Sequence, residues 1–155
     1  MRSLKNKDYL FYILRKNLKS FILKLFNYFP LPWAKLLALK TLGIKVPYNS
    51  GVLDSYIDSD FVIIKDNVIL GEGSIIMSSM IVGEFLIIKR VILEEGCTIG
   101  AFSVISPGTI VEKGAILGMG SYTNINQHLR EHSIYFGRSA KNLNEIRNNS
   151  ISNQI

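Results

Sequence analysis

The chain has 155 residues, 48% of them hydrophobic, and a net charge of +6. That length suits one domain, and no run of 18 apolar residues is present to span a membrane. The single cysteine, Cys97, excludes an intrachain disulfide and any zinc site built on paired cysteines.

The charge is uneven. Residues 1–45 carry ten Lys or Arg and one acid, Asp8, a net +9, whereas residues 46–155 sum to −3. The basicity belongs to an N-terminal arm, residues 1–43. Residues 1–7 are basic and expected to be loose. From Asp8 to Phe29, Leu10, Leu14, Leu18, Phe21, Leu25 and Phe29 recur every three or four residues, which predicts a helix with one apolar side. Pro30 and Pro32 end it, and Trp33–Leu42 predicts a second, shorter helix closed by Gly43. Charges interrupt the apolar run and no cleavage site follows it, so the arm does not read as a secretory signal. Two readings of it stand together: a helical cap on the first turn of the domain or on a neighbouring subunit, and an amphipathic helix lying on anionic lipid, with Phe11, Phe21, Phe26 and Trp33 dipping in. The arm is too apolar for a solvated nucleic-acid patch, and no nucleic acid is expected as a partner.

Residues 44–143 form the main domain. Val52 and Ile57 look inward-facing, and the seven-residue step from Ile57 to Ile64 predicts an irregular first turn around Asp58-Ser59-Asp60. From Ile64 the chain counts in sixes. First positions are Ile64, Leu70 and Ile76, then, after a five-residue interruption from Val82 to Leu86, Ile87, Leu93, Ile99, Ile105, Val111 and Leu117. Fifth positions are mostly small or β-branched: Val68, Ser74, Met80, Val91, Cys97, Ser103, Thr109, Ala115 and Ser121. Six is neither a helical period nor a plain alternation. It marks a hexapeptide parallel β-helix, in which three sixes close one triangular coil and coils stack at roughly 4.8 Å. The first residue points inward and the fifth fills the tight corner, so Cys97 reads as a small core residue and not a nucleophile. Sixth positions at Ile69, Ile75, Ile81, Ile92, Val104, Ile110 and Ile116 then point outward in apolar rows that ask for a partner. Residues 124–133 are polar and predict a loop. Ile134–Leu143 predicts a last strand, and residues 144–155 a polar tail.

Val68-Ile69-Leu70-Gly71-Glu72-Gly73, Cys97 through Ile105, Pro107-Gly108-Thr109-Ile110 and the closing word Ile134 through Lys141 resemble the hexapeptide-repeat acyltransferase superfamily. Its O-acetyltransferases are left-handed parallel β-helices, an exception to right-handed crossovers. In the closing word Ser139 stands where the family has Pro. The resemblance implies an all-β repeat fold with an N-terminal helical arm, and a homotrimer with the ligand groove between subunits. It implies transfer of an acyl group, acetyl above all, from acyl-CoA to a hydroxyl or amine of a sugar or cell-surface polymer precursor. The expected location is cytoplasmic, peripheral on the inner face of the membrane where the lipid reading of the arm holds.

The family's general base is a His just before the interruption. The local match here, Ile76-Met77-Ser78-Ser79-Met80-Ile81, has Ser79 or Met80 at that place. Neither carries a base of suitable pKa, which leaves a second reading open: a β-helix scaffold or binding protein that lacks the base. His128 and His132 are the only histidines. Both read as solvated loop residues, with His128 kept as a candidate base; Glu84, in the interruption, is a surface charge and a second candidate. The resemblance places the pantetheine arm of coenzyme A along Gly100-Ala101 and Gly118-Met119-Gly120, with Lys141 toward the nucleotide phosphates and Lys113 and Arg138 in support. Zinc-binding left-handed β-helices share three His across a trimer interface. This chain has none in its coils, and no metal is expected.

Overall fold

The computed structural model describes residues 2–3, 7–27, 32–52, 54–58 and 61–144. A short strand, β1 (Arg2–Ser3), precedes helices α1 (Lys7–Asn27) and α2 (Pro32–Thr41). The first coil is β2 (Gly51–Val52), β3 (Tyr56–Ile57) and β4 (Val62–Ile64). The second is β5 (Ile69–Leu70) and β6 (Ile75–Ile76), then a hairpin of β7 (Ser79–Val82) and β8 (Phe85–Ile88), then β9 (Val91–Leu93). The third coil is β10 (Thr98–Ile99), β11 (Val104–Ile105) and β12 (Ile110–Val111). The fourth is β13 (Ile116–Leu117), a bridge at Tyr122 and β14 (His128–Leu129); β15 (Ile134–Phe136) and β16 (Lys141–Asn142) close the domain.

The strands stack into three parallel faces. The first face is β2-β5-β10-β13-β15 with β16 antiparallel at its end, the second is β3-β6-β11, and the third is β4-β9-β12-β14. Thr98 pairs with Ile116 and Ile116 with Ile134, eighteen residues apart each time, which is three sixes. The inward residues of the faces are Leu70, Ile99 and Leu117; Ile76 and Ile105; and Leu93, Val111 and Leu129, all fully buried. Fifth positions Val68, Ser74, Val91, Cys97, Ser103, Thr109 and Ala115 are also fully buried in the corners. The core is thus a column of branched aliphatics one residue wide per face, and each rung removes a whole Leu, Ile or Val side chain from water, worth about 1.5–3 kcal/mol before chain entropy is charged.

Three expectations are corrected. Ile69 pairs with Thr98, twenty-nine residues on, so the second coil carries eleven extra residues. They form the β7–β8 hairpin in place of a five-residue interruption. Ile87 is therefore no core position: it pairs with Met80 across the hairpin, and the sixes resume at Leu93. Residues 124–133 are a coil side and not a loop. Thr123 takes an inward place, with its hydroxyl sharing a hydrogen bond with Thr109 Oγ1 (3.0 Å) and accepting from Ser106 N–H (2.9 Å); the next inward residue is Leu129, fully buried. A polar residue satisfied in this way can sit in a core. The segment before α1, expected to be loose, includes β1, which pairs antiparallel with the free edge of β8, Arg2 with Leu86 and Ser3 with Phe85.

Leu39 of α2 lies in the same core as Ile44 and Val46, and Lys45 bridges Ile63, so the third face begins before the first complete coil. α1 differs. Leu10, Phe11, Leu14, Leu18, Phe21 and Leu25 are between 58% and 74% exposed, so its apolar side faces outward. Among the described residues no helix is long and apolar enough to cross a membrane. Ser59-Asp60, the helix-ending Pro30 and the tail from residue 145 lie outside the described residues.

Candidate functional site

Two edges of the prism collect the candidate residues. The first lies between the second and third faces, where the hairpin leaves the second coil. Ser79 opens β7 and is buried. Its hydroxyl donates to Asp58 Oδ2 (2.6 Å), and Lys16 Nζ of α1 donates to Ser79 Oγ (2.8 Å) and pairs with Asp58 Oδ2 (3.3 Å). Asp58 follows β3, whose register against β6 brings it beside the strand end leading to Ser78 and Ser79, and its N–H donates to Ile76 O (2.9 Å). Met80 is half-buried, and Glu84 is exposed in the turn between β7 and β8.

Farther along the same edge, Lys89 Nζ donates to Asn126 Oδ1 (2.8 Å) and spans the third coil at Gly108. Two residues beyond Asn126, His128 opens β14 with its side chain outward. Its Nε2 lies 2.8 Å from Glu112 Oε1, and the other carboxylate oxygen of Glu112 accepts from Glu131 N–H (2.8 Å). The register of β12 on β14, Ile110 beside His128, brings Glu112 within reach. His128 is 56% exposed, so the imidazole is oriented by a carboxylate on one nitrogen and open to solvent. His132 is exposed at the next corner with φ 49°, over Gly114, and among the described residues has no such carboxylate partner.

The second edge lies between the first and second faces. Gly71, Gly100 and Gly118 stack there, one per coil. A Cβ at Gly100 would lie 2.5 Å from the backbone nitrogen of Met119, so the close approach of successive coils accounts for the glycine by itself. Ala101 is half-buried beside it and Gly120 turns the next corner. Phe102, Met119, Tyr122 and Phe136 project outward along this edge and are exposed. Lys141, exposed on β16, pairs in register with Phe136 at the end of the column, and Arg138 Nε donates to Gly120 O (3.1 Å). Lys113 is held elsewhere by Glu95 (3.0 Å).

Ser79 and Glu84 thus belong to the hairpin that leaves this edge at the second coil, and His128 to the start of β14 in the fourth, where it contacts Glu112 and neither Ser79 nor Glu84. The structure brings Gly100, Ala101, Gly118, Gly120 and Lys141 to the other edge. Lys16, Asp58 and Glu112 are the residues that the sequence reading missed. Glu112 was legible once a coil of eighteen residues placed position 128 beside 110; nothing local announces that Lys16 meets Asp58, forty-two residues away. Among the described residues no three His, Cys, Asp or Glu side chains converge as metal ligands. Cys97 lies in the core, and burial pushes its thiol up to about 12.

Residues 90–123 match the family model described as the hexapeptide repeat of succinyl-transferase. No curated protein matches the chain by sequence. A maltose O-acetyltransferase from Clostridium difficile 630 is 14% identical with a TM-score of 0.68, over 91% of this chain and 89% of that one. A hexapeptide-repeat acetyltransferase from Vibrio cholerae complexed with acetyl coenzyme A is 13% identical with a TM-score of 0.62, over 92% and 91%. A galactoside acetyltransferase in complex with coenzyme A is 11% identical with a TM-score of 0.63, over 85% and 80%. At these identities the likeness is one of fold: a left-handed parallel β-helix of hexapeptide coils with an N-terminal helical arm.

Proposed function

We propose that this chain, which carries the hexapeptide repeat and has the fold of the maltose and galactoside O-acetyltransferases, is an acyl-CoA-dependent acyltransferase. It moves an acyl group, acetyl above all, to a hydroxyl or amine of a sugar or cell-surface polymer precursor. The observation that carries this reading is the sorting of the candidate residues onto the two edges that flank the second face. Along one edge, Phe102, Met119 and Phe136 offer an apolar track for the pantetheine arm and Lys141 a cation for phosphate. Along the other, His128 held by Glu112 has the geometry of a general base. Acyl-CoA supplies an activated thioester; its acyl carbon forms a bond to the acceptor oxygen or nitrogen, the C–S bond breaks, and the thiol leaves. His128 would take the proton of the attacking group at the nitrogen that faces away from Glu112.

One chain holds these two halves apart, and a homotrimer would bring one subunit's base edge to its neighbour's carrier edge. The exposed apolar row Tyr56, Ile75 and Tyr122 between the edges supports such packing, as do Ile69, Ile116 and Ile134 on the first face. The anionic surface of a membrane, met through residues 1–43, is the second partner of this reading.

The second reading, a scaffold, is favoured by Ser79 itself: it stands where the resemblance implies the His, and it is buried and hydrogen-bonded instead of open to an acceptor. A transfer assay separates the two. Acetyl-CoA with maltose, galactosides and amino sugars should release free thiol, and His128→Ala should lower that rate about 10²–10⁴-fold while carrier binding persists. No transfer to any acceptor by the natural chain, or a rate unchanged by His128→Ala, would reject the assignment.

A further inference from the structure

Asp58 is 1% exposed, and its carboxylate is met by two groups, a serine hydroxyl and an ammonium. A buried carboxylate needs such partners, because an unpaired charge away from water is costly. Yet the carboxylate is not fully satisfied: among the described residues Asp58 Oδ1, which is buried, has no hydrogen-bond partner. Buried polar atoms left in this way ask for an explanation. The ammonium, moreover, does not belong to the β-helix. It is brought by α1, whose opposite side carries the exposed stripe from Leu10 to Leu25, and Lys16 itself remains 27% exposed. Lys16 is the contact by which α1 reaches Ser79 and Asp58 at this corner.

We propose that Ser79 and Asp58 form a binding site for a primary ammonium group, and that the chain's own Lys16 fills it as an internal competitor. The hydroxyl and the carboxylate face Lys16 Nζ at 2.8 and 3.3 Å, the charge-assisted geometry that recognises an amine. Asp58 Oδ1 is the acceptor that a ligand carrying further donors would use. An acceptor bearing an amino group would be held there by its ammonium when α1 lifts. That last step rests on the acyltransferase reading; the ammonium site itself does not. Competition follows simple population arithmetic: while Lys16 occupies the pair, the apparent affinity for an external amine falls by the fraction of open sites.

The test is calorimetric titration of glucosamine, with glucose as the control that lacks the amine, into the full wild-type chain and the Lys16→Ala chain. Lys16→Ala should bind glucosamine about tenfold more tightly than wild type, glucose should bind equally to both, and Asp58→Asn in the Lys16→Ala background should abolish the gain. Lys16→Ser gives the same reading if Lys16→Ala is poorly folded by circular dichroism. Equal glucosamine affinity in wild type and both Lys16 variants would overturn the proposal, and so would a gain that survives Asp58→Asn. Tight ammonium binding without acetyl transfer by any variant would reject the acyltransferase reading and leave the ammonium site standing.

Discussion

His128 and Glu112 show how a role is set by one contact. A carboxylate on one nitrogen orients the ring and leaves the other nitrogen to the substrate. Glu112→Gln keeps the hydrogen-bonding shape and removes the charge, so it should lower transfer less than His128→Ala does; steady-state rates of the two variants check the order. At Gly100 the constraint is steric. Gly100→Ala places a methyl 2.5 Å from the Met119 backbone, which has to move, and the variant should lose about 1–3 kcal/mol in denaturant unfolding. Full stability of Gly100→Ala would show that the coils separate freely there. Cys97 gives a pH signature. Burial raises its pKa from 9.0 to about 12, so only the unfolded chain ionises between those values. Its contribution to stability is complete below pH 9 and is lost as pH rises toward 12. The melting-temperature advantage of wild type over Cys97→Ala should therefore shrink across that range, and an advantage that grows would contradict the assignment.

Among the elements, the ladder of sixes was legible because it is local and repetitive: Leu70, Ile76, Leu93, Ile99, Ile105, Val111 and Leu117 are all fully buried, as their positions demand. The hairpin was not, because the apolar residues around Ile81-Val82 and Leu86-Ile87-Ile88 imitate the ladder's composition while obeying a period of two. Thr123 hid the fourth coil for a different reason: its burial rests on hydrogen bonds from residues one coil earlier, which no hydropathy pattern records. The site divides in the same way. The glycine edge could be read from the repeat, whereas Lys16–Asp58 depends on the path of α1 over the coils. That helix carries a prediction of its own. With its stripe outward and a basic arm around it, the full chain should bind anionic vesicles, salt should weaken that binding, and Leu14→Glu with Leu18→Glu should abolish it. Vesicle binding unchanged by the two acidic residues would reject a lipid role for the stripe.

The whole molecule is a short column whose two candidate edges are separated by the second face within one chain, so assembly is part of the function proposed for it. Light scattering should give the mass of three chains. Ile75→Lys, which sets a charge among the outward residues of the second face, should weaken assembly because an unpaired charge would be buried at the contact. A natural chain that is monomeric at micromolar concentration would contradict this. A glycine edge that carries acyl-CoA should give saturable binding at one site per chain in calorimetric titration of acetyl-CoA into the full chain, weakened by Lys141→Glu; the absence of saturable binding would leave a bare β-helix scaffold.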